Sequence, residues 1–261
     1  SQDITVPLLF PVSQAIGVES ATHERIYQEG TDYRIENGQL IIPSGSAIPH
    51  LTWAEYNPLT PNREDPFTCT KGGYLLTYPK DGGFHLHQTV ITYRHTQPWD
   101  GPRPGVSACL PRSRGLLAQH KPLTIGFLGD SICTGCDASG SYGIQLPPNL
   151  APWPLLITQR LSELYDCPVV HCNHAVRGTT SGWGAEKATE LFRNDHVDLM
   201  VVAFGMNDGS GGTPVEYYKA HIQSIVEQTC RQNPDCEFVL VSTTLPNPLA
   251  AQFTNEHHVL Y

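Results

Sequence analysis

Four short apolar runs, separated by segments of helix length, constrain this chain more than any other feature. Residues 123–128 (LTIGFL), 169–172 (VVHC), 199–204 (LMVVAF) and 238–241 (FVLV) are near-continuously apolar rather than alternating. A strand without alternation is buried on both faces, the condition of a parallel sheet covered by helices on two sides. The segments between the runs read as helices. Residues 152–165 place Leu155, Leu156, Leu161 and Leu164 roughly on one face, 185–193 are helical, and Pro214 opens a helix reaching about Arg231. Proline is tolerated in a first helical turn. A three-layer α/β unit over residues 116–261 is therefore expected.

Residues 1–115 read differently. Tyr33-Arg34-Ile35-Glu36 and Gln39-Leu40-Ile41-Ile42 flank Asn37-Gly38. Asn-Gly between two such runs predicts a hairpin, because both central residues of a type I′ turn need positive φ. Residues 74–78 and 88–93 read as further strands, with Lys80-Asp81-Gly82-Gly83 as a turn between them. Short strands with frequent turns predict a β-sandwich of jelly-roll kind. The proline- and glycine-rich stretch 97–115 reads as the connection between the two units.

Composition excludes several function classes. Asp plus Glu is 25 against 16 Lys plus Arg, a formal charge of −9. Nucleic acid and anionic membrane both call for a basic face, so neither is an expected partner. No apolar run approaches the roughly 18 residues of a transmembrane helix. The opening Ser1-Gln2-Asp3-Ile4 carries no signal-peptide pattern, which leaves the compartment open. Eight cysteines in 261 residues are too sparse for a disulfide scaffold.

In a parallel sheet, working residues lie in loops beyond the carboxyl ends of the strands. Three such loops stand out. Gly129-Asp130-Ser131-Ile132 can present a serine hydroxyl above the sheet. Asn173-His174-Ala175-Val176-Arg177-Gly178-Thr179-Thr180 holds a glycine whose N–H can approach a ligand closely. Gly205-Met206-Asn207-Asp208 offers a neutral amide donor. Taken singly, each has an ordinary reading: a helix cap, a turn glycine, a turn asparagine.

With these loops in this order, the chain resembles the SGNH, or GDSL, hydrolases, a family named for Ser, Gly, Asn and His in four sequence blocks. Gly129-Asp130-Ser131 matches the first block, Gly178 stands where the second block has its glycine, and Gly205-Met206-Asn207-Asp208 matches the Gly-x-Asn-Asp third. The likeness spans about residues 121–261 and implies a flavodoxin-like fold. It implies Ser131 as nucleophile and an oxyanion hole from the Ser131 N–H, the Gly178 N–H and the Asn207 side chain. The implied reaction is ester hydrolysis through a covalent acyl-enzyme, without metal or cofactor. The arrangement with an N-terminal β unit resembles that of carbohydrate esterases that remove acetyl groups, which makes an acetylated carbohydrate or other small ester the expected partner.

The family's fourth block, Asp-x-x-His, is missing. None of the twelve histidines has an aspartate three residues before it; His257 follows Thr254 and His258 follows Asn255. The family fold usually has five strands and only four are legible here. The expectation is a unit truncated at its C-terminus, with the catalytic Asp and His on a further piece of the same protein, in line or as a second polypeptide. The rival is a non-catalytic carbohydrate-binding relic, or a base drawn from elsewhere, with His174 close to the second loop. A lipase or thioesterase is a further alternative.

Other signals carry ordinary readings. Cys133-Thr134-Gly135-Cys136 is a C-x-x-C without a second pair, read as thiols or a local bridge. Phe84-His85-Leu86-His87 reads as a strand with two imidazoles on its solvent face. Trp53, Tyr56, Trp99, Trp153 and Trp183 could stack on sugars or pack in the core, and Trp183 lies nearest the second loop. Gly209-Ser210-Gly211-Gly212 reads as a flexible border of the site and lacks the lysine of a phosphate loop.

Overall fold

The computed structural model describes residues 2–60, 67–69, 73, 75–77, 83–101, 109–141 and 144–244. The N-terminal part runs β1 (Ile4–Val6), β2 (Gln14–Ser20), β3 (Arg34–Glu36), β4 (Gln39–Ile42), α1 (Trp53–Tyr56), β5 (Phe67–Cys69), β6 (Leu75–Thr77), α2 (Gly83–Leu86) and β7 (Thr89–Arg94). The C-terminal part runs α3 (Pro111–Ala118), β8 (Leu123–Gly129), α4 (Ser131–Thr134), α5 (Trp153–Tyr165), β9 (Val169–Asn173), α6 (Ser181–Leu191), β10 (Leu199–Ala203), α7 (Met206–Gly211), α8 (Val215–Gln232) and β11 (Glu237–Leu240).

The expected parallel sheet is present, in the order β11-β10-β8-β9. All three pairings are parallel, with Ile125 opposite both Leu199 and His171. Both faces are covered, as the apolar runs require. On one side Leu123, Ile125, Phe127, Leu199 and Val201 pack with Leu117 of α3 and Leu161 and Tyr165 of α5. On the other, Leu128, Met200, Val202 and Phe204 pack with Ala188 of α6 and Tyr218 and Ile225 of α8. The three-layer α/β arrangement therefore follows directly from the apolar runs. Gly126 in the middle of β8 has a packing reason: a Cβ there would sit 2.9 Å from Val197 Cγ1 and 3.0 Å from Phe192 Cε1.

The N-terminal strands are antiparallel, as expected. Among the described residues they form sheets of three, two and two strands, ordered β1-β4-β3, β2-β7 and β5-β6. The Asn37-Gly38 hairpin is present, with Glu36 opposite Gln39 and φ of 51° and 77° at the two turn residues. One cluster of Val18, Tyr27, Tyr33, Leu40, Ile42 and Ile48 forms the core.

Three expectations are corrected. Residues 84–87 are not a strand: residues 83–86 form α2, with His87 N–H donating to the Phe84 carbonyl at 3.1 Å. Alternation over four residues cannot separate the two periods. The proposed connection 97–115 contains the start of α3, whose Pro111 occupies the first turn and whose free N–H groups at Arg112 and Ser113 donate to the Glu237 carboxylate at 2.9 and 2.7 Å. Residues 209–211 are helical within α7, and Gly212 caps it with φ of +68°. The expected turn at 80–82, residues 102–108 of the connection, and His257 and His258 lie outside the described residues. No helix among the described residues is long and apolar enough to cross a membrane.

Candidate active site

The three loops singled out by their sequence meet at the carboxyl end of the sheet. β8 delivers the first. Its last residue, Gly129, leaves no room for a side chain: a Cβ would lie 2.5 Å from the Ala203 carbonyl oxygen and 2.8 Å from Cys133 Cβ. Asp130 caps α4 by accepting from the Ile132 N–H at 2.9 Å, and Ser131 is the first helical residue. The short helix is held from two sides, by Trp153 Nε1 donating to the Ile132 carbonyl at 3.0 Å and Asn173 Nδ2 donating to the Cys133 carbonyl at 3.0 Å. Ser131 is partly exposed, and among the described residues no side chain hydrogen-bonds its hydroxyl.

The second loop follows β9. The Asn173 side chain also accepts from the Ala175 N–H at 2.9 Å, which turns the chain. The His174 and Val176 N–H groups donate to the carbonyls of Phe127 and Gly129, so the loop base extends the ladder with β8. Gly178 has φ of +75° with open space where a Cβ would be. Backbone conformation, not crowding, calls for glycine there.

The third loop is tied to the second by two contacts. Asn207 Nδ2 donates to the Thr179 carbonyl at 2.8 Å. One amide hydrogen is used there and the other remains to donate. Asp208, fully buried, accepts from the Ser181 N–H at 2.9 Å and the Ser181 hydroxyl at 2.6 Å. The same hydroxyl lies 3.1 Å from His221 Nδ1 on α8. Asp208 thus clamps the start of α6, just beyond Gly178, to α7, which carries Asn207. Ser131, Gly178 and Asn207 are brought to one end of the sheet on loops bonded to one another.

Two neighbours have displaced titrations. Burial holds the Asp130 carboxyl above the usual carboxylate range, with the Asp208 charge adding to the effect and the Ile132 N–H opposing it. Burial pushes the Cys133 thiol up to about 12. Cys133 and Cys136 are free thiols. Trp183 packs against the core cluster on the α6 face, which makes it a core residue.

Sequence reading missed Asn173, Ser181, Asp208 as a clamp, and His221. Asp208 adjoins Asn207 in a quoted motif, but its partner Ser181 is 27 positions away, beyond the reach of any local pattern. His174, the base considered within the chain, turns Nε2 to Asp195 at 2.9 Å. Among the described residues, no histidine is hydrogen-bonded to Ser131.

A groove of about 480 Å³ lies beside this end of the sheet. Ile132, Cys136, Asp137 and Trp153 line it from the C-terminal part, and His23 and His85 from the N-terminal part. His85 Nε2 is 2.8 Å from the Pro147 carbonyl oxygen, one of the contacts joining the two parts.

The family model for GDSL-like lipases and acylhydrolases matches residues 127–259, and the chain belongs to that family. Similar solved structures are esterases. One is a two-domain esterase active on acetylated mannans, crystallised with mannopentaose, at 20% identity and a TM-score of 0.44, covering 52% of this chain and 34% of that one. Another is a psychrotrophic esterase from Pseudoalteromonas sp., at 19% identity and a TM-score of 0.40, covering 52% and 68%. A third is the SGNH-hydrolase family esterase AlinE4, at 22% and 0.41, covering 54% and 69%. The chain thus spans about a third of the length of the two-domain esterase. No curated protein matches it.

Proposed function

We propose that this chain carries the nucleophile and oxyanion hole of a serine esterase acting on short-chain acyl esters, with acetylated carbohydrate as the substrate class. One observation carries the reading: Ser131, Gly178 and Asn207 stand on three loops bonded to one another, the second to the third through Asn207–Thr179 and Asp208–Ser181 and the first to the second through the Val176 N–H on the Gly129 carbonyl. In this reading Ser131 Oγ attacks the acyl carbon and its proton passes to a general base. The carbonyl oxygen becomes an oxyanion held by the Ser131 N–H, the Gly178 N–H and the second Asn207 amide hydrogen. Collapse expels the alcohol, which takes the proton back from the base. Water then attacks the acyl-serine, and the base takes its proton and returns it to Ser131 as the carboxylic acid leaves.

The base is supplied from outside the described residues, by a histidine of the family's fourth block. The residues ahead of α3 act as an accessory β unit of jelly-roll kind, and those from α3 onward as the hydrolase unit. The shared groove supports a role for the accessory unit beside the acyl site, since His23 and His85 can hydrogen-bond sugar hydroxyls. Its volume falls within the roughly 300–1,000 Å³ of small-molecule sites.

The test is hydrolysis of p-nitrophenyl acetate and acetate release from acetylated mannan and xylan, with Ser131→Ala alongside. The expected result is turnover that depends on Ser131, in a preparation that includes the fourth block. Turnover that survives Ser131→Ala would overturn the nucleophile. Sugar binding without turnover in that complete preparation would establish the binding relic instead.

A further inference from the structure

Cys172 and His174 stand two residues apart at the end of β9, so strand alternation puts both side chains on one face. That face is the α6 side, where Cys172 packs against the core cluster and the His174 ring stands edge-on to Phe192, centroids 4.7 Å apart. Asp195 reaches the same point from the turn between α6 and β10. His174 Nε2 lies 2.9 Å from Asp195 Oδ2 and 3.5 Å from Cys172 Sγ. The three donor atoms all fall within 4.8 Å of one another. Neither the hydrolase reading nor the core uses this convergence.

In the metal-free protein the Asp195 carboxylate holds the other two groups together. Nε2 is a single atom with at most one proton, which the Asp195 carboxylate takes. The Cys172 thiol therefore turns to the same carboxylate. A sulfur, an imidazole nitrogen and a carboxylate oxygen on one point form the donor set of zinc. Bonds of roughly 2.0–2.3 Å in a tetrahedron put neighbouring donors about 3.3–3.7 Å apart. The Cys172–His174 separation already falls in that range, and the His174–Asp195 separation is a few tenths of an ångström short of it. His174 and Asp195 are each 33% exposed, so water can complete the shell.

We propose that Cys172 Sγ, His174 Nε2 and Asp195 Oδ2 bind one divalent cation of the zinc class. Binding releases the thiol proton, and thiolate and carboxylate then balance the two charges of the ion. The ion ties the base of the second loop, four residues before Gly178, to the α6–β10 turn. The inference is independent of the esterase reading.

The test uses the full chain, reduced and free of chelator, titrated with Co²⁺ and followed by absorption, with Zn²⁺ affinity measured against a chromophoric chelator. One equivalent is expected, with the thiolate-to-cobalt charge-transfer band of a cysteine ligand. Cys172→Ser should abolish the band. Asp195→Asn, nearly isosteric and partly exposed, should weaken Zn²⁺ binding by more than about tenfold, the least that loss of even an outer-shell partner costs. Cys136→Ser should leave both intact. Absence of a one-equivalent site overturns the proposal, as does weak binding of several equivalents. So does a band lost with Cys136 rather than Cys172, or affinity unchanged in Asp195→Asn. If Cys172→Ser does not fold, Asp195→Asn decides alone.

Discussion

The two parts of this chain solve the burial problem in opposite ways. β8 is flanked by parallel partners on both edges and helices on both faces, and five of its last five residues are buried. β2 has one antiparallel partner, β7, some seventy residues away, and its burial alternates. The N-terminal part leaves Ile16 58% and Ile26 68% exposed, whereas Phe127 and Leu128 are wholly enclosed. A two-sided parallel sheet must return each chain through a helix, so all its forward loops gather at one end. That requirement assembles the site. Small antiparallel sheets impose no such convergence, and among the described residues the N-terminal part comes beside the site at the groove that His23 and His85 line.

If the chemistry belongs to the loops and not to the core beneath them, Ser131→Ala should cut kcat on p-nitrophenyl acetate by on the order of 10⁴-fold or more, with the melting temperature unchanged. A matching loss of stability would break the separation of site from scaffold. The core substitutions come next. Phe127→Ala, at a fully buried position, should cost about 3–5 kcal/mol, and Leu40→Ala in the N-terminal cluster about 2–5 kcal/mol. We expect calorimetry to resolve two transitions, each substitution lowering its own. A single transition moved by both would show that the two parts unfold together.

Asn207→Ala should lower kcat by roughly 10²–10³-fold with little change in KM, because the contact strengthens as the oxyanion forms. A rise in KM alone would reassign Asn207 to ground-state binding. The smallest effect concerns pH. The folded protein holds the Asp130 proton where the unfolded chain has already lost it, since burial raises that carboxyl. The Asp130 contribution to stability should therefore fall as pH rises from the ordinary carboxylate pKa through the raised one, against the rising contributions of Asp3, Asp32, Glu55, Asp195 and Glu237, whose carboxyls are held low. Asp130→Asn has no such proton, and its urea midpoint should rise relative to wild type as pH increases across that window. Parallel profiles would rule out Asp130 as the source.

Legibility followed the same divide. The helices predicted over 152–165 and from Pro214 are α5 and α8, and the four apolar runs are β8 to β11. Each rests on a pattern of ten to twenty adjacent residues or on a single solvent-excluded run. The sites of error were short. Residues 84–87 carry too few positions to show a period, and Pro111 reads as a breaker unless the Glu237 carboxylate, more than a hundred positions away, is known to receive the first helical N–H groups. The serine, glycine and asparagine were visible because each follows a recognisable strand.

The features legible in the residues alone are local. The Asn37-Gly38 turn follows from two residues able to hold positive φ. The parallel class follows from runs too apolar to bear a wet face, and the placement of Ser131, Gly178 and Asn207 follows from their position just past those runs. The N-terminal pairings other than that hairpin, and the hold of Asp208 on Ser181, come from long-range packing alone. Only it brought Asp195 to Cys172 and His174. The physical reason is range. Periodicity and turn preference act over a few bonds, whereas a contact between distant residues exists only once the packing of everything between them has closed the chain upon itself.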